Sequence, residues 1–200
     1  MLKKDRNRKI IFVIFGPQGS GKSTQVELLR AKYQLTVFEA GDQLRRKAAV
    51  DEELHQTIKK GQLVANDQML KLVNEFIDTH PADNGYIFDG YPRNIEQSQG
   101  FLRLAHANNW HVVVIYMHIS DTTAKKRLSQ RFEIINGEKF IREDDQPEVV
   151  NKRLSIFKSV TLPIKSFLSK YFTVLEVDGE PDEATVWADV QNKLERKLYD

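Results

Sequence analysis

Ile10-Ile11-Phe12-Val13-Ile14-Phe15-Gly16-Pro17-Gln18-Gly19-Ser20-Gly21-Lys22-Ser23 decides the fold. Six apolar residues, four of them β-branched, read as a strand buried on both faces. A Gly-rich loop follows at once, and Thr24 to Lys32 reads as a helix with Val26, Leu28, Leu29 and Ala31 available for burial. Strand, loop and helix in that order give G-x-x-x-x-G-K-[ST] the context of a phosphate cradle. Glycines let backbone N–H groups turn inward around an anion, and the helix start adds its positive dipole end. Lys22 supplies a mobile cation for the β- and γ-phosphates, and Ser23 or Thr24 a hydroxyl near Mg²⁺.

Outward from this stretch, further buried strands are expected at Thr36-Val37-Phe38, Tyr86-Ile87-Phe88, Val112 to Met117 and Phe172 to Val177. Helices are expected between them: Gln43 to Lys60, broken near Asp51; Asn66 to Thr79; Asn94 to Asn109; Asp121, as cap, to about Arg131; Pro147 to about Ser169, bent at Pro163; and a last helix from Asp182. Gly61-Gln62-Leu63-Val64 reads as a turn. Alternating strands and helices imply an α/β fold of the P-loop NTPase type, a three-layer sandwich whose five-stranded parallel sheet carries helices on both faces. Two excursions leave it. Residues 41–75 hold more helix than one crossover needs and read as an inserted lobe. Residues 132–146 read as a short hairpin-like lid, with Asn136-Gly137 between Ile134-Ile135 and Phe140-Ile141. The core is then 10–40, 76–131 and 147–200, all within one domain.

The 200 residues carry a formal charge of +2, too near balance to argue for nucleic acid. There is no cysteine, so a disulfide framework and a thiolate zinc site are excluded. The six-residue apolar run is too short for a signal peptide or a membrane span, and a cytoplasmic protein with a solvated basic tail at residues 1–9 is expected. That tail could instead touch RNA or acidic lipid.

Asp89 ends a buried strand, where a carboxylate is costly unless something nearby is positive. It reads as a Mg²⁺ ligand, direct or through water, or as an Asp-Gly turn; the P-loop in the same chain favours the metal. Arg127 and Arg131 lie four apart beside an apolar line through Ala124 and Leu128, an arrangement that an anion between them would stabilise. Arg142 and Arg153 straddle Pro147, and Arg93 follows Pro92. Five arginines near strand ends suit phosphoryl transfer, which needs positive charge around the equatorial oxygens and little else.

Gly16 to Gln25, Gly41-Asp42-Gln43-Leu44-Arg45, Gly61 to Val64, Asp89-Gly90-Tyr91-Pro92-Arg93, Arg127 to Arg131, and Arg142-Glu143-Asp144-Asp145 with Arg153 together resemble the nucleoside monophosphate kinases of the adenylate kinase family. The resemblance runs from Ile10 to Leu198. It implies a Mg²⁺-dependent transfer from ATP to a nucleoside monophosphate, most simply AMP, by a monomer that uses neither nucleic acid nor membrane. It implies that Gly19, Ser20, Gly21, Lys22, Ser23 and Thr24 hold the donor phosphates, with Arg127, Arg131 and backbone near Pro181 at the donor adenine and phosphates. The acceptor would meet Ala40, Arg45, Gln62, Leu63, Val64, Gly90, Tyr91, Pro92, Arg93 and Gln97, joined by Arg142 and Arg153. Lys22, Arg93, Arg131, Arg142 and Arg153 would carry catalysis, Asp144 and Asp145 lid closure, and Asp89 with Ser23 the Mg²⁺.

Some positions depart from the family pattern. Ser23 stands where the family usually has Gly, which restores the general P-loop pattern. The metal-binding cysteines of the long bacterial lid are missing. Ala40 and Asn94 resemble UMP/CMP kinases, whereas Gln97 matches the glutamine that reads adenine. Gln97 also completes a capping box with Asn94, so a cap and a base contact both remain open for it. A nucleotide-binding module without turnover is the rival from another class, and the arginines on both sides of the transferred group speak against it.

Overall fold

The computed structural model describes residues 8–135, 138–140 and 145–199. Its main sheet has five parallel strands, β1 (Ile10–Phe15), β2 (Thr36–Glu39), β3 (Gly85–Asp89), β4 (His111–His118) and β7 (Thr173–Asp178), in the order β2-β3-β1-β4-β7. β1 is central because both its faces are apolar. Ile11, Val13 and Phe15 pack with α4 (Asn66–Thr79), α5 (Ile95–Ala107) and α8 (Ile164–Leu168). Phe12 and Ile14 pack with α1 (Lys22–Tyr33) and α9 (Glu183–Tyr199). The expected three layers follow from that period-two alternation.

β1 lies between β3 and β4. The chain runs from β1 to β2 and β3 on one side and then crosses to β4 and β7 on the other, so the topological switch lies at the P-loop. In register, Ile14 pairs with Asp89 and Asp89 with Glu39, which lines up two carboxylates at the C-terminal edge. The 41–75 excursion contains most of α2 (Ala40–Ala48), all of α3 (Glu52–Lys59) and the start of α4. β5 (Glu133–Ile135) and β6 (Glu138–Phe140) form the antiparallel pair expected of the hairpin; Asn136 and Gly137 lie outside the described residues.

Three expectations need correction. α2 begins at Ala40 rather than Gln43, with Asp42 in its first turn, favourable to the dipole and paired with Arg46 at 2.9 Å. Ser120, not Asp121, caps α6 (Asp121–Ser129), its Oγ accepting from Thr123 N at 3.1 Å. The helix from Pro147 is not continuous: α7 (Pro147–Ile156) passes into a π-helical turn at Phe157–Thr161 before α8. There Leu162 N donates to Phe157 O at 2.6 Å, and Pro163 has no N–H with which to continue the α pattern.

Candidate active site

The P-loop turns sharply because its glycines permit it. A Cβ on Gly16 would stand 2.3 Å from Met117 O, and Gly21, at φ 87°, caps α1 in the left-handed region. α1 has no acidic residue in its first turn, so its amide groups and dipole face the loop uncompensated. Lys22 Nζ donates to Gly16 O (2.9 Å) and Pro17 O (2.8 Å) and lies 3.4 Å from Ser20 Oγ. Ser23 is exposed in the first turn, and Thr24 Oγ1 reaches Glu183 Oε1 at 3.4 Å.

Above this loop opens a cavity of about 410 Å³. Among the described residues six cations line it, Lys22, Arg45, Arg93, Arg127, Arg131 and Arg153, against two carboxylates, Glu39 and Asp89. Gly19, Gly21, Ser23, Thr24, Gln62, Leu63, Val64, Gly90 and Gln97 join them. Ser20, Ala40, Tyr91 and Pro92 are buried and do not line the cavity, and Pro181 is exposed outside it. Ala40 is fully buried, and Tyr91 packs in the core with its hydroxyl pushed up to about 12 by burial. Arg142 and Asp144 lie outside the described residues.

The excess of positive charge acts on its own members. Burial first, then Arg93, Arg153 and Arg131, lower the Lys22 ammonium to about 8 against the opposing pull of Asp89. Arg93 is lowered to about 10 by burial and Arg153 and remains a cation at neutral pH. The Asp89 carboxyl is raised, chiefly by burial and also by Glu39, although Lys22 and Arg93 oppose the shift. A buried carboxylate and the Ser23 hydroxyl lining the same cavity fit a divalent cation, which would add to the positive charge that Lys22 and Arg93 already set against Asp89. Among the described residues no group of three or more His, Cys, Asp or Glu could hold a metal, so a divalent cation there would take most of its ligands from phosphate oxygens and water.

On one side of the cavity, Arg93 folds back with Nε on Gly90 O at 2.7 Å. Thr161, from the π-turn, donates to Arg93 O at 2.9 Å. Arg45 stands 3.5 Å from Glu39. Gln97, 4% exposed, accepts from Arg93 N at 2.8 Å through Oε1, while its own N–H donates to Asn94 Oδ1 at 2.8 Å. The side chain therefore reaches one residue before the cap rather than closing a capping box.

On the other side, Arg127 donates to Gly19 O, Gly179 O and Glu180 O, tying the P-loop to the segment before Pro181. Arg131 makes a two-pronged pair with buried Asp145 at 2.7 and 2.6 Å. The two arginines are thus each held by protein groups, Arg131 by a carboxylate and Arg127 by neutral carbonyl oxygens. Thr161, Glu39, Gln18 and the apolar walls Leu44, Ile58, Met69 and Phe157 also line the cavity, and sequence reasoning missed them as site residues. No short motif marks them; Thr161 is brought in by the π-turn, whose only sequence sign is the nearby Pro163.

A P-loop at the switch point of a parallel sheet, opening into a cleft ringed by arginines, defines a P-loop protein built to handle nucleotide phosphates. The family model described as adenylate kinase matches residues 14–172. Adenylate kinase isoenzyme 1 of Oryctolagus cuniculus is 33% identical over 98% of this chain and 98% of its own length. The adenylate kinase of Brucella ovis (strain ATCC 25840 / 63/290 / NCTC 10512) is 30% identical over 91% of this chain and 97% of its own, and that of Azobacteroides pseudotrichonymphae genomovar. CFP2 is 29% identical over 91% and 95%. The chain belongs to the adenylate kinase family. No helix among the described residues is long and apolar enough to cross a membrane.

Proposed function

We propose that this chain transfers the terminal phosphoryl group of Mg-ATP to AMP, giving two ADP. The observation that carries the reading is the ring of six cations against two carboxylates around one P-loop cavity. An oxygen of the acceptor phosphate attacks the γ-phosphorus in line while the bond to the β-phosphate oxygen breaks. The protein contributes position and positive charge rather than covalent chemistry. Lys22, Arg131 and Arg153 stabilise the transferred group, and Arg45 and Arg93 hold the acceptor phosphate. Arg142 adds to both from the lid. Ser23 and Asp89 would hold the Mg²⁺, Asp89 directly or through water, and the ion, when bound, would supply positive charge to the donor phosphates.

In this reading 41–75 is the acceptor lobe, 132–146 the lid that excludes water, and Asp144 and Asp145 help to close it. Gln97 reads the acceptor base. UMP or CMP is the alternative acceptor, pointed to by Ala40 and Asn94. Ala40 is buried behind the cavity lining, and the Asn94 side chain is occupied by the α5 cap and by Asn66, which favours AMP. The names of the relatives do not favour the pyrimidine alternative. The large apolar side chains that are exposed, among them Val50, Phe132, Val160 and Tyr171, sit on separate stretches of chain. That supports a monomer, which would act on the cytoplasmic nucleotide pool.

The test is Lys22→Ala in a coupled assay with ATP and AMP. The variant should keep the fold and lose at least about two orders of magnitude in turnover, as removal of a charge contact to the transition state does. Near-normal turnover would remove the P-loop from the reaction.

A further inference from the structure

Asn66 was not singled out by its sequence, yet it sits at the centre of a hydrogen-bond chain that joins α4 to the start of α5. Asn94 Oδ1 accepts from Gln97 N, so the Asn94 amide nitrogen faces away and donates to Asn66 Oδ1 at 2.7 Å. Asn66 Nδ2 donates to the Glu96 carboxylate. Asn66 Oδ1 also accepts from Gln97 Nε2 at 3.2 Å, and Gln97 Oε1 accepts from Arg93 N at 2.8 Å.

The polarity of this chain is fixed at its ends. The backbone N–H groups of Gln97 and Arg93 can only donate, and the Glu96 carboxylate can only accept. If any of the three amides turned over, it would set donor against donor or acceptor against acceptor. Gln97 is nearly fully buried and lines the cavity, and these protein contacts use one of its two Nε2 hydrogens and one lone pair of Oε1. One donor and one acceptor remain, in an order that cannot be exchanged.

We infer that Asn66 is a positioning residue for acceptor choice. Together with the Arg93 N–H on Oε1, it locks the Gln97 amide so that the site separates a base bearing an amino group beside a ring-nitrogen acceptor from one bearing a carbonyl beside a ring N–H. A free amide would serve either edge by a half-turn of its terminal torsion. A locked one serves a single edge and leaves buried polar groups unpaired with the other. This rests on the reading of Gln97 as the residue that faces the acceptor base.

AMP and IMP differ only at that edge, so the ratio of their kcat/KM values, with ATP as donor, reads the lock. The wild type should prefer AMP by on the order of 10- to 100-fold, the discrimination typical of a paired amide. Asn66→Ala should lower that ratio by at least about tenfold, gaining IMP activity while losing AMP activity, with KM for ATP unchanged. The double variant Asn66→Asp with Glu96→Gln keeps an acceptor at 66 and puts a donor at 96. It should hold the wild-type ratio within about threefold, well inside the loss expected of the unlocked site.

The outcomes separate cleanly. A wild type indifferent to AMP and IMP refutes the Gln97 reading itself. A selective wild type whose selectivity survives in Asn66→Ala refutes the role of Asn66. So does loss of selectivity in the folded double variant, which stands as the test should Asn66→Ala fail to fold.

Discussion

Lys22 should take up a proton when ATP binds at alkaline pH. Its ammonium is lowered from 10.5 to about 8 because burial, and then the charges of Arg93, Arg153 and Arg131, disfavour the cation, with Asp89 only partly offsetting them. The displacement corresponds to at most about 3 kcal/mol against the cation, less whatever screening water in the open cleft provides. A bound triphosphate reverses the surrounding field and should return the group toward its ordinary value. At pH 9 a lysine titrating at about 8 is protonated in only about one molecule in ten, so binding should take up about 0.9 proton. At pH 7.5 the same calculation gives about 0.2 proton. ATP affinity should then fall by up to about tenfold per pH unit above 8. Calorimetry of ATP binding in buffers of different ionisation enthalpy measures the uptake directly, with Lys22→Met as the control. Equal uptake by wild type and Lys22→Met at pH 9 would refute the argument.

Two other perturbations follow from the same cleft. The Asp89 carboxyl titrates above its ordinary 3.8 in the folded chain, so folding favours its protonated form and the carboxylate costs stability at neutral pH. Asp89→Asn should therefore melt higher than wild type at pH 7, the gain vanishing as pH falls below 3.8, while Mg²⁺-dependent turnover drops; an equal or lower melting temperature at pH 7 would contradict this. Thr161→Val removes the hydroxyl that holds Arg93 O and should cost about 1–3 kcal/mol of stability. It should raise KM for AMP more than KM for ATP, and Thr161→Ser should restore both; equal changes in the two constants would deny Thr161 any hold on Arg93.

The main sheet was legible because β1, β3 and β4 are short apolar runs, while β2 and β7 each carry a few apolar residues between helices. β1 declares its central place through apolar residues on both faces and the Gly-rich loop behind it. Helix α4 was legible to the residue, since Met69, Leu72, Val73 and Phe76 form one stripe and all four are buried. The π-turn was not, because a mid-helix bulge depends on tertiary contacts such as the one Thr161 makes with Arg93 O, which local pattern does not encode. In the cleft, Lys22 and the arginines were legible from motif and charge. Tyr91 and Pro92 were read as facing the acceptor, but their motif cannot tell a lining residue from the core residue behind it. Asn66 was invisible for a related reason: an asparagine at a helix start looks like a solvated end until its partners on α5 are placed beside it.

The most direct test of the account is an acceptor panel. Wild-type protein with Mg-ATP is offered AMP, CMP, UMP and GMP in separate coupled assays, and kcat/KM is measured for each. AMP should exceed UMP and GMP by at least about tenfold, because a buried amide that pairs with an amino group beside a ring-nitrogen acceptor penalises a carbonyl beside a ring N–H by about 1–3 kcal/mol. CMP, which offers the same edge on a smaller base, should fall below AMP through lost contact area. CMP or UMP phosphorylated faster than AMP would contradict it and turn the site over to a pyrimidine monophosphate.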